Sequence, residues 1–362
     1  MSEKKKQGSK VFLYTILIIF IIVFLGVTTA YLFIKRGDRN LKKNAVSSGN
    51  MESEELLTQD EAEEGIISYQ GKKYRYNEDL FTVLFLGIDT KEELGTESLN
   101  STGDQADTNV LFVLDFKNRV VRLINISRDT MTDIDIYSAE GEYFNTIKAQ
   151  LALQYAYGDG KEESCELMMK AISKLMYGMP IHGYYAMNLK GIEAANDAIG
   201  GVQLTVLEDI QYEEENFSLS KGTEILLMGK TARHYVQLRN REVLGSNDLR
   251  MQRQKQYLNA FAEQLRQGIK EDITLPIKLY QQLEEYVVTN ISLSEMSYLA
   301  SEVLSCEFDT DNFLTVKGTI EKGENTKYEE FYVDETALYE MILEVFYEKV
   351  ETIENDMNVE AH

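Results

Sequence analysis

Between Val11 and Ile34 the chain runs for 24 residues without a charged side chain, VFLYTILIIFIIVFLGVTTAYLFI. At about 1.5 Å per residue, a helix of that length exceeds the roughly 30 Å hydrocarbon core of a bilayer, so the segment can span it with some tilt. The run is longer than the apolar part of a signal peptide, and no small-residue cleavage pattern follows it. It therefore reads as an uncleaved anchor, and its place at the extreme N-terminus argues against a buried core helix. Charge does not fix the orientation. Lys4, Lys5, Lys6 and Lys10 precede the span, and Lys35, Arg36, Arg39, Lys42 and Lys43 follow it, so the positive-inside count is balanced.

Beyond the anchor the chain is strongly acidic. Residues 1–50 carry nine Lys/Arg against Glu3 and Asp38, a charge of +7, which leaves −30 of the total −23 on the remainder. A domain so negative has no general basic surface to displace phosphate counterions, which excludes bulk nucleic-acid binding. Any phosphate chemistry must rest on a local island of positive charge. Residues 35–66, rich in Ser, Asn and Glu and ending in the acidic stretch from Glu52 to Glu64, have the composition of a solvated tether. With Cys165, Cys306 and three histidines, the usual zinc spacings cannot be assembled, and nothing marks a cysteine nucleophile. The cysteines are left as either a disulfide or two separate buried thiols.

From Thr82 the patterning changes. TVLFLGID, TNVLFVLDF at 108–116 and VVRLINIS at 120–127 are continuous β-branched and apolar runs, as in strands buried on both faces. Further strands are predicted at Gly183 to Asn188, Val202 to Val206 and Phe313 to Val316. Helices are predicted at 149–157, 162–177, 190–198, 248–267, 276–286, 294–304 and 334–347, with a turn at Gly200–Gly201 and Asn247 or Asp248 as N-cap of the long helix. The alternation predicts an α/β fold, helices covering a central sheet, continuing through residue 350.

Three clusters are candidates for chemistry. Asp89 closes one predicted strand and Asp107 opens the next; carboxylates at one sheet edge either hold Mg²⁺, an oxygen-seeking ion, or simply form turns. Arg128 follows a buried strand and either pairs locally with Asp129 or offers its guanidinium fork to a phosphate. QLRNREVLGSNDLRMQRQK at 237–255 holds Arg239, Arg241, Arg250, Arg253 and Lys255 against two acids, the one basic island in an acidic domain. Arg250 and Gln254, four apart, share a helix face. The alternative for that island is an amphipathic helix with solvated arginines.

GID at 87–89, ADT at 106–108, INISRDT at 124–130, LQYAYGDG at 153–160, PIHGYYAMNLKGI at 180–192, DAIGGVQLTV at 197–206 and LRNRE…NDLRMQRQKQYL at 238–258 occur in that order. Together they resemble the LytR–CpsA–Psr family of cell-envelope proteins over residues 80–268. The resemblance implies a three-layer α/β/α sandwich around a central mixed sheet. It also implies a membrane-anchored, extracytoplasmic, Mg²⁺-dependent phosphotransferase that moves an anionic glycopolymer, such as teichoic acid or capsule, from a polyprenyl pyrophosphate carrier to peptidoglycan. On that basis residues 1–10 are a cytoplasmic tail, 11–34 the single membrane span, 35–66 the linker, 67–350 the outer domain (core 80–268, C-terminal extension 269–350) and 351–362 a tail. Carried over by position, Asp89 and Asp107 serve the metal; Arg128, Arg239 and Arg250 are catalytic and, with Gln254, bind the pyrophosphate. An elongated apolar tunnel for the lipid is expected to open near Arg128 and Arg239.

Two positions depart from the family pattern. Gln105 and Gln237 stand where it usually has arginines, and Asp89 and Asp107 are separated by a polar insertion, Lys91 to Gly103. Lys148 and Arg253 are candidate replacement cations for the pyrophosphate. The departures keep a second reading open, a non-catalytic envelope protein that binds lipid pyrophosphate or polymer in a regulatory or scaffolding role.

Overall fold

The computed structural model describes residues 66–90, 93–95, 104–138, 141–238, 246–303, 305–306, 312–323 and 328–350. The predicted anchor, most of the tether, Arg239, Arg241 and the tail 351–362 lie outside those residues. No helix among the described residues is long and apolar enough to cross a membrane.

The chain begins with a hairpin, β1 (Ile66–Tyr69) and β2 (Lys72–Tyr76), and continues into β3 (Leu80–Ile88), β4 (Ala106–Asp115) and β5 (Val120–Ile126). A second hairpin, β6 (Met131–Tyr137) and β7 (Tyr143–Gln150), leads through a 3-10 turn at Leu151–Tyr157 to α1 (Glu162–Leu175). Then follow β8 (Gly183–Asn188), α2 (Leu189–Ala198), β9 (Val202–Thr205), β10 (Ile210–Tyr212), β11 (Phe217–Leu219), β12 (Glu224–Leu227), α3 (Gly229–Gln237) and α4 (Ser246–Glu271). The remainder comprises α5 (Leu275–Leu283), β13 (Val287–Thr289), α6 (Leu293–Val303), β14 (Phe313–Thr315), β15 (Gly318–Lys322), β16 (Glu329–Val333), α7 (Glu335–Phe346) and β17 (Tyr347–Val350).

Six strands form the central sheet in the order β13-β8-β3-β4-β5-β14. The sheet is mixed: β3, β4 and β5 make an antiparallel meander, β8 lies parallel to β3, and β14 lies parallel to β5. Its strands are apolar on both faces because both are covered. Leu84, Leu86, Ile88, Leu111, Val113, Ile124 and Ile126 point to one side, where Cys165, Met168 and Ile172 of α1 and Leu338 and Ile342 of α7 close the core. The residues between them, Phe81, Val83, Phe85, Val110, Phe112 and Leu123, face the helices α2 to α6 on the other side. A period of two in the strands thus meets helices on either face, and the α/β/α sandwich follows.

Local chemistry sets the ends of several elements. Asn188 caps α2 by accepting from Gly191 N at 2.9 Å, and Asp334 caps α7 by accepting from Ala337 N at 3.0 Å. Gly200 and Gly201, at φ 84° and 90°, close α2 in the left-handed conformation that favours glycine. At the start of α6, Glu295 accepts from Ser292 N at 2.6 Å while Ser292 Oγ accepts from Glu295 N at 3.4 Å, a capping box.

Some elements differ from expectation, and the cysteines take one of the two states left open. Residues 151–157 wind as a 3-10 turn rather than an α-helix, and the β6–β7 hairpin occupies a stretch with no predicted strand, its last two residues lying in the predicted helix 149–157. β17 pairs with β2, so the first and last described strands share one small sheet. Cys165 and Cys306 are both free and buried, on opposite faces of the central sheet. Burial pushes the Cys165 thiol well above its ordinary value, which keeps it inert.

Candidate functional site

The end of the β3–β4 pair places the first carboxylates. Gly87 faces Thr108, whereas Ile88 faces Ala106, so Asp107 is the extra residue of a β-bulge. A bulge turns a side chain away from the regular alternation of the strand, and here it presents Asp107 at the sheet edge. Gly87 permits the close approach, since a Cβ there would lie 2.9 Å from the Thr108 Cβ. Asp89, just past β3, is tied to the same loop by its backbone N–H, which donates to Gln105 O at 3.2 Å.

Arg128 meets these groups from the end of β5. Its Nη1 donates to Asp107 Oδ1 and its Nη2 to the side-chain oxygen of Gln105, while Nε lies 3.5 Å from Asp129 Oδ1. The backbone beneath it is fixed on several sides. Arg128 O accepts from Ala152 N at 3.0 Å, Asp129 O from Phe331 N at 2.9 Å, and Asp129 Oδ1 from Gln150 Nε2 at 3.3 Å. The 3-10 turn, β16 and β7 therefore hold one arginine in register with one carboxylate.

The third component comes from α4. Arg250 is buried, 8% exposed, and its positive charge acts on Asp107. One turn later, Gln254 Nε2 donates to Val236 O at 3.1 Å and approaches Thr108 Oγ1 at 3.5 Å. Burial is the largest influence on Asp107 and pushes its carboxyl above the ordinary range; Arg128 and Arg250 oppose this, and Asp89 and Asp129 add to it.

The residues predicted from sequence divide accordingly. Asp89, Asp107, Arg128, Arg250 and Gln254 converge on one edge of the sheet. Arg253 is turned inward instead: it donates to the carbonyls of Tyr235 and Leu238 and pairs with Glu208 at 2.8 Å, capping the end of α3. Lys148 sits on β7, largely exposed, 3.5 Å from Asp133 of β6. Sequence reasoning missed the roles of Gln105 and Gln237. Gln105 accepts from Arg128, and Gln237 donates from Nε2 to Asp89 Oδ1 at 2.9 Å. Arg233, four residues before Gln237 on α3, donates to its side-chain oxygen at 2.8 Å; the i, i+4 spacing was the available signal.

The described residues hold no cluster of three or more His, Cys, Asp or Glu side chains suited to a metal. Mg²⁺ commonly takes only one or two carboxylates and completes its shell with water and substrate phosphate, and Asp89 and Asp107 supply hard oxygens of that kind. The mutual repulsion felt at Asp107 is what a cation between them would relieve. The donor set fits the ion. Beside Arg128, Ser127, Asp129, Met251, Val316 and Phe331 line a cleft of about 20 Å³. That cleft holds a water or so and not a polyprenyl tail; Arg239, the other residue expected at the tunnel mouth, lies outside the described residues.

A mixed sheet sandwiched by helices, with acidic and basic side chains gathered at one end of its strands, defines an α/β domain with a charged site. The chain belongs to the LytR_cpsA_psr family, which matches residues 41–345. Among its relatives is the polyisoprenyl-teichoic acid–peptidoglycan teichoic acid transferase TagV of Bacillus subtilis, 26% identical over 257 residues, 68% of this chain and 59% of that protein. TagT of the same organism is 27% identical over 271 residues, 72% of each chain. TagU of Enterococcus faecalis is 24% identical over 189 residues, 52% of this chain and 55% of TagU. The chain thus spans less than two thirds of TagV and of that TagU. The crystal structure of B. subtilis TagV shares the fold with a TM-score of 0.54 at 23% identity, covering 74% of this chain and 95% of that one. TagT bound to LI-WTA gives 0.53 at 20% identity, covering 74% and 89%.

Proposed function

We propose that the protein is an extracytoplasmic, membrane-anchored phosphotransferase that moves an anionic glycopolymer from a polyprenyl pyrophosphate carrier to peptidoglycan. The observation that carries this reading is the convergence of Asp89, Asp107, Arg128, Arg250 and Gln254 at one sheet edge of an otherwise acidic domain. The names of the relatives, teichoic acid transferases, supply the polymer class and the acceptor.

The chemistry is a displacement at phosphorus. A wall hydroxyl attacks the phosphorus that bears the polymer sugar, and polyprenyl phosphate departs. Because the carrier is anionic, the protein's task is positioning and charge neutralisation. Arg128, already oriented by Asp107 and Gln105, presents a planar guanidinium to non-bridging oxygens. Arg250 adds charge from a buried position, where it is weakly screened. Arg239, from the family motif, is assigned with Arg128 and Arg250 to the non-bridging oxygens and the departing phosphate. Mg²⁺, when held by Asp89 and Asp107, would neutralise diphosphate charge.

A second reading is a protein that binds lipid pyrophosphate or polymer without turnover in a regulatory or scaffolding role; Gln105 and Gln237, standing where the family has arginines, favour it. The purified full chain in detergent, given a polyprenyl pyrophosphate-linked polymer and a peptidoglycan acceptor, separates the two. Mg²⁺-dependent release of polyprenyl phosphate is the outcome expected of the transferase; saturable binding without release would replace it with the binding protein. Protease treatment of intact protoplasts should digest the domain, and protection until lysis would overturn the outer location.

A further inference from the structure

Gln237 stands where the family motif carries an arginine, which on sequence alone is a lost cation for the pyrophosphate. The structure gives the position different chemistry. Arg233, 3% exposed on the preceding turn of α3, donates from Nη1 to the Gln237 side-chain oxygen at 2.8 Å. Its Nε donates to Glu193 Oε1 of α2 at 2.6 Å, and its Nη2 lies 3.2 Å from His234 Nε2. A guanidinium only donates, so the Gln237 amide must turn its oxygen to Arg233 and its NH₂ to Asp89, where Nε2 sits 2.9 Å from Oδ1. The orientation of that amide, normally uncertain, is settled by its neighbours.

We propose that Arg233 is a positioning residue that acts through Gln237 on Asp89, in a relay running Glu193, Arg233, Gln237, Asp89. The relay moves the cation one helical turn back from the site and couples it to the carboxylate through a neutral amide. An arginine at 237 would lie directly against Asp89 and compete with any cation for its charge. A carboxamide fixes the direction of the carboxylate and leaves its negative charge available. This rests on the reading of Asp89 as a metal ligand given above.

The test uses the full chain in detergent micelles and Mn²⁺ alone as the probe, with free ion followed by electron paramagnetic resonance. Asp89→Asn should abolish binding. Arg233→Met and Gln237→Met should each weaken it roughly tenfold, the scale of one lost hydrogen bond to a charged group. The double variant should be no weaker than either single one, because both break the same relay. Arg233→Lys, which retains a cationic donor, should recover part of the loss, an outcome that general loosening of α3 does not predict. Wild-type affinity in Arg233→Met, or losses that multiply in the double variant, would overturn the relay. If Arg233→Met does not fold, Gln237→Met, which keeps the Arg233–Glu193 pair, decides the matter: unchanged affinity there overturns the proposal. Unchanged binding in Asp89→Asn would remove the metal assignment itself, and the relay with it, a failure distinct from an intact Asp89 site indifferent to Arg233.

Discussion

The two carboxylates at the sheet edge are held in opposite ways. Asp107 is aimed by a bulge, half-buried, and bonded directly to the guanidinium of Arg128. Asp89 lies just past the end of a regular strand and is bonded to a neutral amide, with its nearest relayed cation one residue further off. Among the described residues, one acid thus meets a cation directly and the other through an amide. Under the proposed function, such a site divides its tasks: the Asp107 side keeps an arginine in place for phosphate, and the Asp89 side contributes charge toward a cation.

The largest effect should come from Asp107→Ala, which removes the partner that orients Arg128 and, under the proposed function, a metal ligand. Mg²⁺-dependent turnover should fall on the order of a hundred- to a thousandfold, and near-normal turnover would remove Asp107 from the site. Stability should respond in the opposite sense. Burial raises the folded-state pKa of Asp107, so its favourable contribution is complete below the ordinary carboxylate range and is lost as pH rises through the raised value. Asp107→Asn should therefore leave the thermal midpoint of the ligand-free protein at neutral pH unchanged or higher, and a lower midpoint would mean that the Arg128 pair outweighs burial.

Arg128→Lys keeps the charge but loses the fork. With one donor direction in place of two, it should cost about 2 kcal/mol, or roughly thirtyfold in kcat/KM. An equal loss in Arg128→Lys and Arg128→Met would show that charge alone matters and planarity does not. A pH titration of Mn²⁺ binding sharpens the contrast further. Affinity should decline as pH falls through the raised Asp107 value, at up to about tenfold per pH unit well below it. In Asp107→Asn that decline should no longer follow the raised Asp107 value; an unmoved profile would assign it elsewhere. The smallest effect is expected from Gln105→Arg combined with Gln237→Arg. Both glutamines already have partners, so with no divalent ion added the family's arginines should change lipid-pyrophosphate affinity by less than about threefold, or lower it by crowding cations. A large gain would favour the binding-only reading.

Much of the scaffold was legible in the chain. The central strands announce themselves because each is apolar on both faces, and Gly183–Asn188 is found where the pattern put it. The β6–β7 hairpin escaped because β7, YFNTIKAQ, is mostly exposed and lacks a buried alternating face. At the site, the carboxylates, Arg128 and the i, i+4 pair Arg250 and Gln254 follow from motif and spacing. The bulge at Asp107 does not, since it is a property of register between two strands rather than of either one. Arg253 was misleading for a plain reason. On a helical wheel an arginine that caps a neighbouring helix and one that awaits a phosphate look alike, and only the carbonyls of Tyr235 and Leu238 tell them apart.

The pairing of β2 with β17 has a consequence for biosynthesis. β2 lies near the start of the domain and emerges early, yet one of its edges has no partner until Tyr347–Val350 arrive. Until then a nascent chain carries an open strand edge, a template for stray pairing with neighbouring chains. Lys72, Lys73 and Arg75 on β2 and the charged Glu348 and Lys349 on β17 are residues that discourage such pairing. Final closure of this small sheet thus waits on the last turn of α7, and a ribosome that stalls before residue 347 would release a chain with that edge still open.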